Sequence, residues 1–236
     1  YAVEEAFEAG IEQIIFVTGR TKKALEDHFD RSFEIENTLE QKGKTDLLKQ
    51  IQELVPKTGT IVYTRQNQPL GLGHAIWCAR DIVGDEPFAV VLADDLIQTH
   101  KPVLSEMVRK FDRLRASIAA VMEVDKDQTD KYGILDAQPV EDDIVKIDDM
   151  VEKPDPAEAP SNLAIIGRYI LTPKIFEFLG RKEVGAGGEI QLTDAMKTLL
   201  KEQPVFGYKF DGKRFDCGDK AGFQMANLAF ALERPE

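Results

Sequence analysis

The sequence has few of the residues that mark secreted, zinc-binding or membrane-spanning proteins. Its 236 residues include only two cysteines, Cys78 and Cys217, which lie far apart and form no CxxC pair. We therefore expect reduced thiols in a cytoplasmic protein and no zinc site. No apolar run is long enough to span a bilayer, and no basic segment followed by an apolar one predicts a secretion signal.

Positive charge is also scarce, since 30 Lys and Arg residues stand against 42 Asp and Glu residues and the net charge is −12 at pH 7. Nucleic acids and anionic membrane surfaces would repel such a chain, so we expect neither as a partner. A phosphate ligand would have to meet a few local cations or a metal ion. The hydrophobic share of 43% is enough for a substantial core.

The most informative stretch is FAVVLADD at residues 88–95, an apolar run that stops on two carboxylates. An unbroken apolar run of this kind predicts a central strand, buried on both faces, of an open α/β sheet. Ligands collect beyond the carboxyl ends of such strands, which places Asp94 at the functional edge. Either aspartate could instead cap a following helix. Because there are two adjacent aspartates, one could cap the helix while the other stayed free to hold a divalent cation.

Strand and helix patterns alternate through the first half of the chain. Strands are predicted at 11–18, 60–64, 88–95 and 117–123, with one long helix over 38–55 that Pro56 ends. A loop at 65–75 contains two glycines and runs into a helix at 75–81, whose first N–H groups could face a polar ligand. The second half has more hairpin signals, with strands predicted at 132–136, 144–148, 150–154 and 162–171.

Seven segments occur in an order that is typical of one enzyme family. They are QNQPLGLGHA at 66–75, ADD at 93–95, YGI at 132–134, VEKP at 151–154, SNLAIIGRY at 161–169, GGEIQLTDA at 187–195 and FDCG at 215–218. Through them nearly the whole chain resembles the bacterial UTP–glucose-1-phosphate uridylyltransferases. The family's glycine-rich nucleotide loop would precede Tyr1 and is not in this sequence. We therefore expect the intact protein to carry a further strand and loop before Tyr1, since a βαβ unit needs its first strand.

The resemblance implies an α/β fold. It would be a three-layer αβα Rossmann-like nucleotide-sugar transferase with a mixed, mainly parallel central sheet and a β-rich sugar-binding half. A single domain over 1–236 would combine a nucleotide-binding half, 1–125, with a half over 126–236 that binds the sugar phosphate and carries the C-terminal helix. The family also implies a homo-oligomer, a dimer or a tetramer.

The resemblance further implies that glucose 1-phosphate attacks the α-phosphorus of UTP with Mg²⁺, giving UDP-glucose and pyrophosphate. Such a transfer needs positioning, cations and a metal rather than an enzyme nucleophile. The isolated histidines His28, His74 and His100, with no Ser-His or Cys-His pattern, agree with this.

The base and metal sites are implied residue by residue. Gln66 and Gly71 would read the uracil edge, where an amide offers both a donor and an acceptor. Asp94 and Asp216 would hold Mg²⁺ together, with their carboxylates within roughly 6 Å of each other because each bond is about 2.1 Å long. From the residues alone, Gln66 could equally be a solvated loop residue, and Asp216 could form an ion pair with Arg214 or Lys213.

The sugar phosphate would lie among Gly133, Glu152 and Lys153: the glycine packs against the sugar, the glutamate accepts from a glucose hydroxyl and the lysine meets the phosphate. Neighbouring strand residues point to opposite faces, so both side chains reach one ligand only if the strand ends or bulges there. Pro154 favours such an end and predicts an extended Lys153. Weaker candidates are Asn162 and Glu189, which could equally be turn or helix-start residues.

Two other functions stay open at this point. A related transferase could use another nucleotide or hexose, for instance dTTP. A non-catalytic binding or assembly subunit could also have this sequence, although it would have no need of paired metal carboxylates at Asp94 and Asp216.

Overall fold

The computed structural model describes residues 1–54 and 59–233, which form two compact units. The smaller unit is Glu12–Pro69, and the larger combines Tyr1–Ile11 with Leu70–Glu236. The predicted halves, 1–125 and 126–236, and their three-layer arrangement stay predictions.

Parallel strands and helices make up the described part of the smaller unit. Its two β-branched segments pair in register from Ile14 with Ile61 onwards. The predicted single helix over 38–55 is wrong, because Gly43 adopts a φ of 63° and separates two helices. The predicted end of that helix at Pro56 lies outside the described residues. The elements are β1 (Ile14–Thr18), α2 (Lys23–Phe29), α3 (Phe33–Gln41), α4 (Thr45–Leu54) and β2 (Ile61–Arg65).

A six-stranded mixed sheet forms the centre of the larger unit. Its strand order is β3 (Phe88–Val91), β8 (Leu163–Leu171), β5 (Ser117–Glu123), β9 (Val205–Lys209), β7 (Ile144–Glu152) and β6 (Gly133–Glu141). The pair β5–β9 is parallel and the other neighbours are antiparallel. Strand β6 also pairs with β8, so the sheet curls back on itself like a barrel. The sheet is mixed, as predicted, but it is not mainly parallel.

The strand predicted to be central is shorter and lies at one end of this sheet. It stops at Val91 rather than Asp95, and within the sheet it pairs only with β8. The element after it is a strand, β4 (Asp95–Gln98), rather than a helix, and β4 pairs antiparallel with β10 (Lys213–Asp216). The strand that is buried over its whole length is β8.

The helices of the larger unit pack on these sheets through apolar stripes. In α7, Val103, Leu104, Met107 and Phe111 are buried, as the sequence pattern predicts. Helices α8 (Ile175–Leu179) and α9 (Leu192–Leu199) pack on each other, and α9 packs on β7. Phe178 of α8 belongs to the same buried cluster as residues of α9 and β8. The remaining bounds are α1 (Ala2–Glu8), α5 (Leu72–Cys78), α6 (Arg80–Val83), α7 (Val103–Leu114) and α10 (Lys220–Glu233).

Candidate active site

The two adjacent aspartates after β3 have different surroundings. Asp95 is only 5% exposed, and its Oδ2 accepts the Gly167 N–H at 2.9 Å while its Oδ1 pairs with the Arg214 guanidinium. Burial raises the pKa of the Asp95 carboxyl, and the Arg214 charge and the Gly167 N–H oppose that shift. Asp94 lies in the turn between β3 and β4 and is exposed. One aspartate is therefore held inside the fold and the other faces outward.

Asp216 ends β10 directly opposite Asp95 and meets Asp94 across the same turn. The Cys217 N–H donates to the Asp94 carbonyl oxygen at 2.6 Å, which ties the two turns together. A Cβ added to Gly218 would lie 3.0 Å from Asp216 Oδ1 and 3.7 Å from Asp94 Oδ2. The two carboxylate oxygens are therefore no farther apart than the sum of those distances. They face one small space that a side chain at Gly218 would fill.

This pair has the chemistry that Mg²⁺ requires. Mg²⁺ prefers hard oxygen ligands and is often held by only one or two carboxylates, together with substrate phosphates and water. Within the ranges 1–54 and 59–233, no group of three or more His, Cys, Asp or Glu side chains is arranged to hold a metal ion. Asp94 and Asp216 alone would leave the other coordination positions to phosphate and water, so the residues present fit the metal.

The ion pair considered as an alternative for Asp216 is also present. Arg214 Nη2 donates to Asp216 Oδ2 at 3.3 Å, while Asp216 Oδ1 accepts the Gly218 N–H at 2.9 Å. The Asp216 side chain remains 47% exposed. The ion pair and an outward-facing carboxylate therefore occur together.

Glu152 and Lys153 lie at the end of β7. As neighbours in a strand they would point to opposite faces of the sheet. Lys153 is just beyond the strand with a φ of 47°, and its Nζ lies 3.8 Å from Glu152 Oε1. The strand does end here, as predicted, so both side chains can reach one side. Lys153 is nevertheless left-handed rather than extended, because its N–H turns back to donate to the Tyr132 carbonyl oxygen at 2.9 Å.

A buried threonine that the sequence reasoning missed holds Glu152. The Thr193 hydroxyl donates to Glu152 Oε2 at 2.7 Å, and Thr193 is only 8% exposed. A Cβ on Gly133 would lie 3.1 Å from Thr193 Oγ1 and 3.3 Å from Glu152 Oε2. Gly133 thus stands beside both groups, and its place against the sugar stays a prediction. The signal for Thr193 was its position in the segment at 187–195.

Gly71 packs closely against another part of the chain. It has a φ of 102°, and a Cβ there would lie 2.7 Å from Glu189 Cβ and 2.9 Å from the Ile190 carbonyl oxygen. The Ile190 N–H donates to the Leu70 carbonyl oxygen at 2.7 Å, and the Gly73 N–H donates back to the Ile190 carbonyl oxygen at 2.9 Å. The helix after this loop, α5, begins three residues before the predicted start at position 75. The loop is therefore fixed by main-chain contacts with residues 189 and 190.

The remaining candidates contact other residues of the chain. The Asn162 side chain donates to the Val124 carbonyl oxygen at 3.3 Å, and its own carbonyl oxygen accepts the Val124 N–H at 2.9 Å, which continues the pairing of β5 with β8 beyond Glu123 and Leu163. Glu189 is exposed, with Gln191 Nε2 3.4 Å from its Oε2. Gln66 belongs to the smaller unit, where its main-chain N–H donates to Thr18 at the end of β1.

The cysteines are poor nucleophiles. Burial raises the pKa of the Cys78 thiol, and burial together with nearby carboxylates raises that of Cys217. A protonated thiol attacks weakly, so neither cysteine has the surroundings of an activated nucleophile. In the part of the chain that the structure describes, every helix is too short or too polar to cross a membrane.

Comparison with known proteins finds similar sequences and structures over nearly the whole chain. The nucleotidyl transferase family model matches residues 1–231. A UTP–glucose-1-phosphate uridylyltransferase from Bacillus subtilis is 50% identical over all of this chain, which covers 80% of that relative. A crystal structure of UDP-glucose pyrophosphorylase complexed with UDP-glucose is 45% identical, with a TM-score of 0.89 over 99% of this chain and 86% of its own. A UTP-bound UGPase from Acinetobacter baumannii is 42% identical, with a TM-score of 0.91 over 100% of this chain and 82% of its own.

Proposed function

Because the chain belongs to the nucleotidyl transferase family, we propose that it forms UDP-glucose and pyrophosphate from UTP and glucose 1-phosphate. The observation that carries the proposal is the pair of outward-facing carboxylates, Asp94 and Asp216, on the two sides of Gly218. Hydrogen bonds through Arg214 and Tyr132 connect this pair to the turn that carries Lys153. One continuous part of the larger unit thus offers a metal site and a cation for a sugar phosphate.

In the proposed reaction, a phosphate oxygen of glucose 1-phosphate forms a bond to the α-phosphorus of UTP. The bond from that phosphorus to the oxygen bridging to the β-phosphate breaks, and pyrophosphate leaves with the electron pair. Bound by Asp94 and Asp216, Mg²⁺ would neutralise charge on the phosphates. The protein's task is to align the attacking and leaving oxygens, which is the main requirement of in-line phosphoryl-type transfer.

Four residues at the end of β7 and around it would hold the sugar phosphate. Lys153 would pair with the phosphate of glucose 1-phosphate, and Glu152 would accept from a sugar hydroxyl. Thr193 orients that carboxylate by donating to Oε2, which leaves Oε1 on the side of the lysine. Gly133 would leave room for the sugar ring, since any side chain there would enter the same space.

Within the smaller unit, Gln66 would read the nucleotide base, with its amide offering a donor and an acceptor to the uracil edge. Asn162 and Glu189 would have at most secondary contacts with the sugar, because Asn162 is bonded to Val124. A homo-oligomer of two or four chains also belongs to the proposal, and light scattering would measure it. Two free cysteines favour a cytoplasmic location.

Pyrophosphate release with a panel of nucleotides and sugar phosphates tests the proposal. We expect the highest kcat/KM with UTP and glucose 1-phosphate. Asp94→Asn and Asp216→Asn should each lower kcat by about 100-fold or more, the scale expected when electrostatic stabilisation of a transferring phosphoryl group is lost. Asp112→Asn, at an exposed position of α7, is the matched control and should leave kcat unchanged.

Each alternative has its own outcome in this panel. A preference for dTTP, or for another hexose phosphate, would assign the chain to a related transferase. Absence of pyrophosphate release with every pair of substrates would favour the non-catalytic binding subunit. Full activity of both asparagine variants would refute the metal role of the carboxylates.

A further inference from the structure

Arg214 connects three groups of the larger unit with one guanidinium. Its Nε pairs with Asp95 Oδ1, its Nη2 donates to Asp216 Oδ2 at 3.3 Å, and its Nη1 donates to the Tyr132 hydroxyl at 2.8 Å. The Arg214 side chain is only 13% exposed. A planar guanidinium holds partners in fixed directions, so these three groups keep a fixed arrangement.

One consequence concerns which carboxylates are available to a cation. Asp95 is 5% exposed, and its oxygens pair with Arg214 and with the Gly167 N–H, so it is closed to a cation. Asp216 also has both oxygens hydrogen-bonded, to Arg214 and to the Gly218 N–H, but its side chain is 47% exposed, and the neighbouring Asp94 is exposed as well. Arg214 thus neutralises the buried aspartate and, together with the Gly218 N–H, fixes the direction of Asp216.

A second consequence follows from Tyr132, which Arg214 contacts through both its hydroxyl and its ring face, 5.0 Å from the guanidinium carbon. The Tyr132 carbonyl oxygen accepts the N–H of Lys153 at 2.9 Å, and the next residue in the chain is Gly133. Tyr132 therefore contacts both Arg214 and the backbone of Lys153, which is one of the residues proposed to hold the sugar phosphate.

We propose that Arg214 is a positioning residue that couples the metal-binding carboxylate Asp216 to the sugar-phosphate turn at Lys153, by way of Tyr132. This inference rests on the proposed function for the roles of Asp216 and Lys153. Arg214 would act through Asp216 and Tyr132 rather than on the reacting atoms. Its effect is to fix the position of Asp216 relative to the turn at Lys153.

Arg214→Lys tests the first half of the proposal, because lysine keeps the positive charge but cannot hold three partners at once. Mn²⁺ binding to the full chain, measured by electron paramagnetic resonance without substrate, is the readout. We expect the dissociation constant for Mn²⁺ to rise about tenfold, as is typical when a residue that orients a metal ligand is changed. The matched control is Arg113→Lys, since Arg113 donates two hydrogen bonds, at 2.6 and 2.8 Å, to Glu141 on the surface. It should bind Mn²⁺ like the unmodified protein.

Tyr132→Phe tests the second half and also serves if Arg214→Lys does not fold. It removes only the hydroxyl that Arg214 contacts. We expect binding of glucose 1-phosphate, measured by calorimetry with the nucleotide absent, to weaken several-fold while Mn²⁺ affinity stays within about twofold. In the double variant with Arg214→Lys, the loss in glucose 1-phosphate affinity should be smaller than the product of the two single losses, because both changes break one connection.

Unchanged Mn²⁺ affinity in Arg214→Lys would overturn the inference, as would unchanged glucose 1-phosphate affinity in Tyr132→Phe. Fully multiplicative losses in the double variant would overturn the coupling. If the unmodified chain bound no Mn²⁺, the inference would fail with the metal role. Pyrophosphate release from UTP by the same sample would then still support the proposed function, so the two failures are distinguishable.

Discussion

The left-handed backbone of Lys153 leads to a prediction that separates an effect on stability from an effect on activity. With a φ of 47°, this residue is in a conformation that residues with a Cβ rarely adopt outside functional sites. Replacing it with either alanine or glycine removes the ammonium group and its 3.8 Å contact with Glu152. The two variants therefore share every side-chain loss and differ only in the backbone.

The expected difference follows from two opposing contributions. A left-handed residue with a Cβ costs about 1–2 kcal/mol, which alanine retains and glycine avoids. Glycine loses about 0.5–1 kcal/mol more conformational free energy on folding than alanine does. Lys153→Gly should therefore be more stable than Lys153→Ala by about 1 kcal/mol. Both variants should lose about 100-fold or more in turnover, the scale expected when a charge-assisted contact to the reacting phosphate is removed.

Urea denaturation and pyrophosphate release measure the two effects on the same samples. Arg115 is the matched control, because it has a φ of 51° after α7 and a side chain that is 75% exposed. Arg115→Gly should also be more stable than Arg115→Ala, but neither should change turnover. An alanine variant at 153 as stable as the glycine variant would refute the backbone argument. Normal turnover in either 153 variant would refute the phosphate contact.

Three further outcomes are expected. Gln66→Ala should reduce the preference for UTP over CTP in kcat/KM. The glutamine amide discriminates between bases because its hydrogen-bonding groups are left unpaired beside the wrong base. An unchanged ratio would argue against a role of Gln66 in reading the base. The pKa of Glu36 is lowered from 4.5 to about 2, chiefly by hydrogen bonds from Arg31 and then Gln52, so its stabilisation is present above pH 4.5 and is lost as the pH falls towards 2. Urea denaturation between these pH values should show less pH dependence for Glu36→Gln than for the unmodified protein. Gly73→Ala should destabilise by about 1–3 kcal/mol, because its Cβ would lie 2.7 Å from a main-chain oxygen; Gly19→Ala, with open space around it, should be nearly neutral in the same assay.

The aspartate turn illustrates how far sequence reasoning could reach. The run at 88–95 correctly indicated a strand, although a shorter one at one end of the sheet, and it allowed that one aspartate could have a structural role while the other stayed free. The sequence could not assign the roles, because they depend on the N–H of Gly167 and the guanidinium of Arg214, which are far away in the chain. It also missed β4, a four-residue strand whose pairing with β10 is entirely non-local.

The turn at Lys153 shows a different kind of failure. Pro154 disfavours helical backbone at the preceding residue, and the local preference is for an extended conformation. The observed left-handed conformation goes with a hydrogen bond to Tyr132, the residue just before the neighbouring strand β6. Local preferences between backbone regions differ by only about 1–2 kcal/mol, so a tertiary contact of this kind can override them.

The two most specific sequence segments, at 66–75 and 187–195, turn out to depend on each other. Gly71 and Gly73 approach residues 189–191 so closely that a Cβ at either position would come within 3 Å of them, and hydrogen bonds of 2.7 and 2.9 Å join Ile190 to the same loop. The glycines therefore have a packing reason to be glycine, whatever Gly71 also does for a base. Because Thr193 lies three residues beyond Ile190 and donates to Glu152, the same contact helps to set the position of the carboxylate that we propose binds the sugar. A substitution in the glycine loop should thus shift Glu152 by way of the chain from Ile190 to Thr193. A loss of activity in such a variant would therefore not show that the substituted residue contacts a nucleotide.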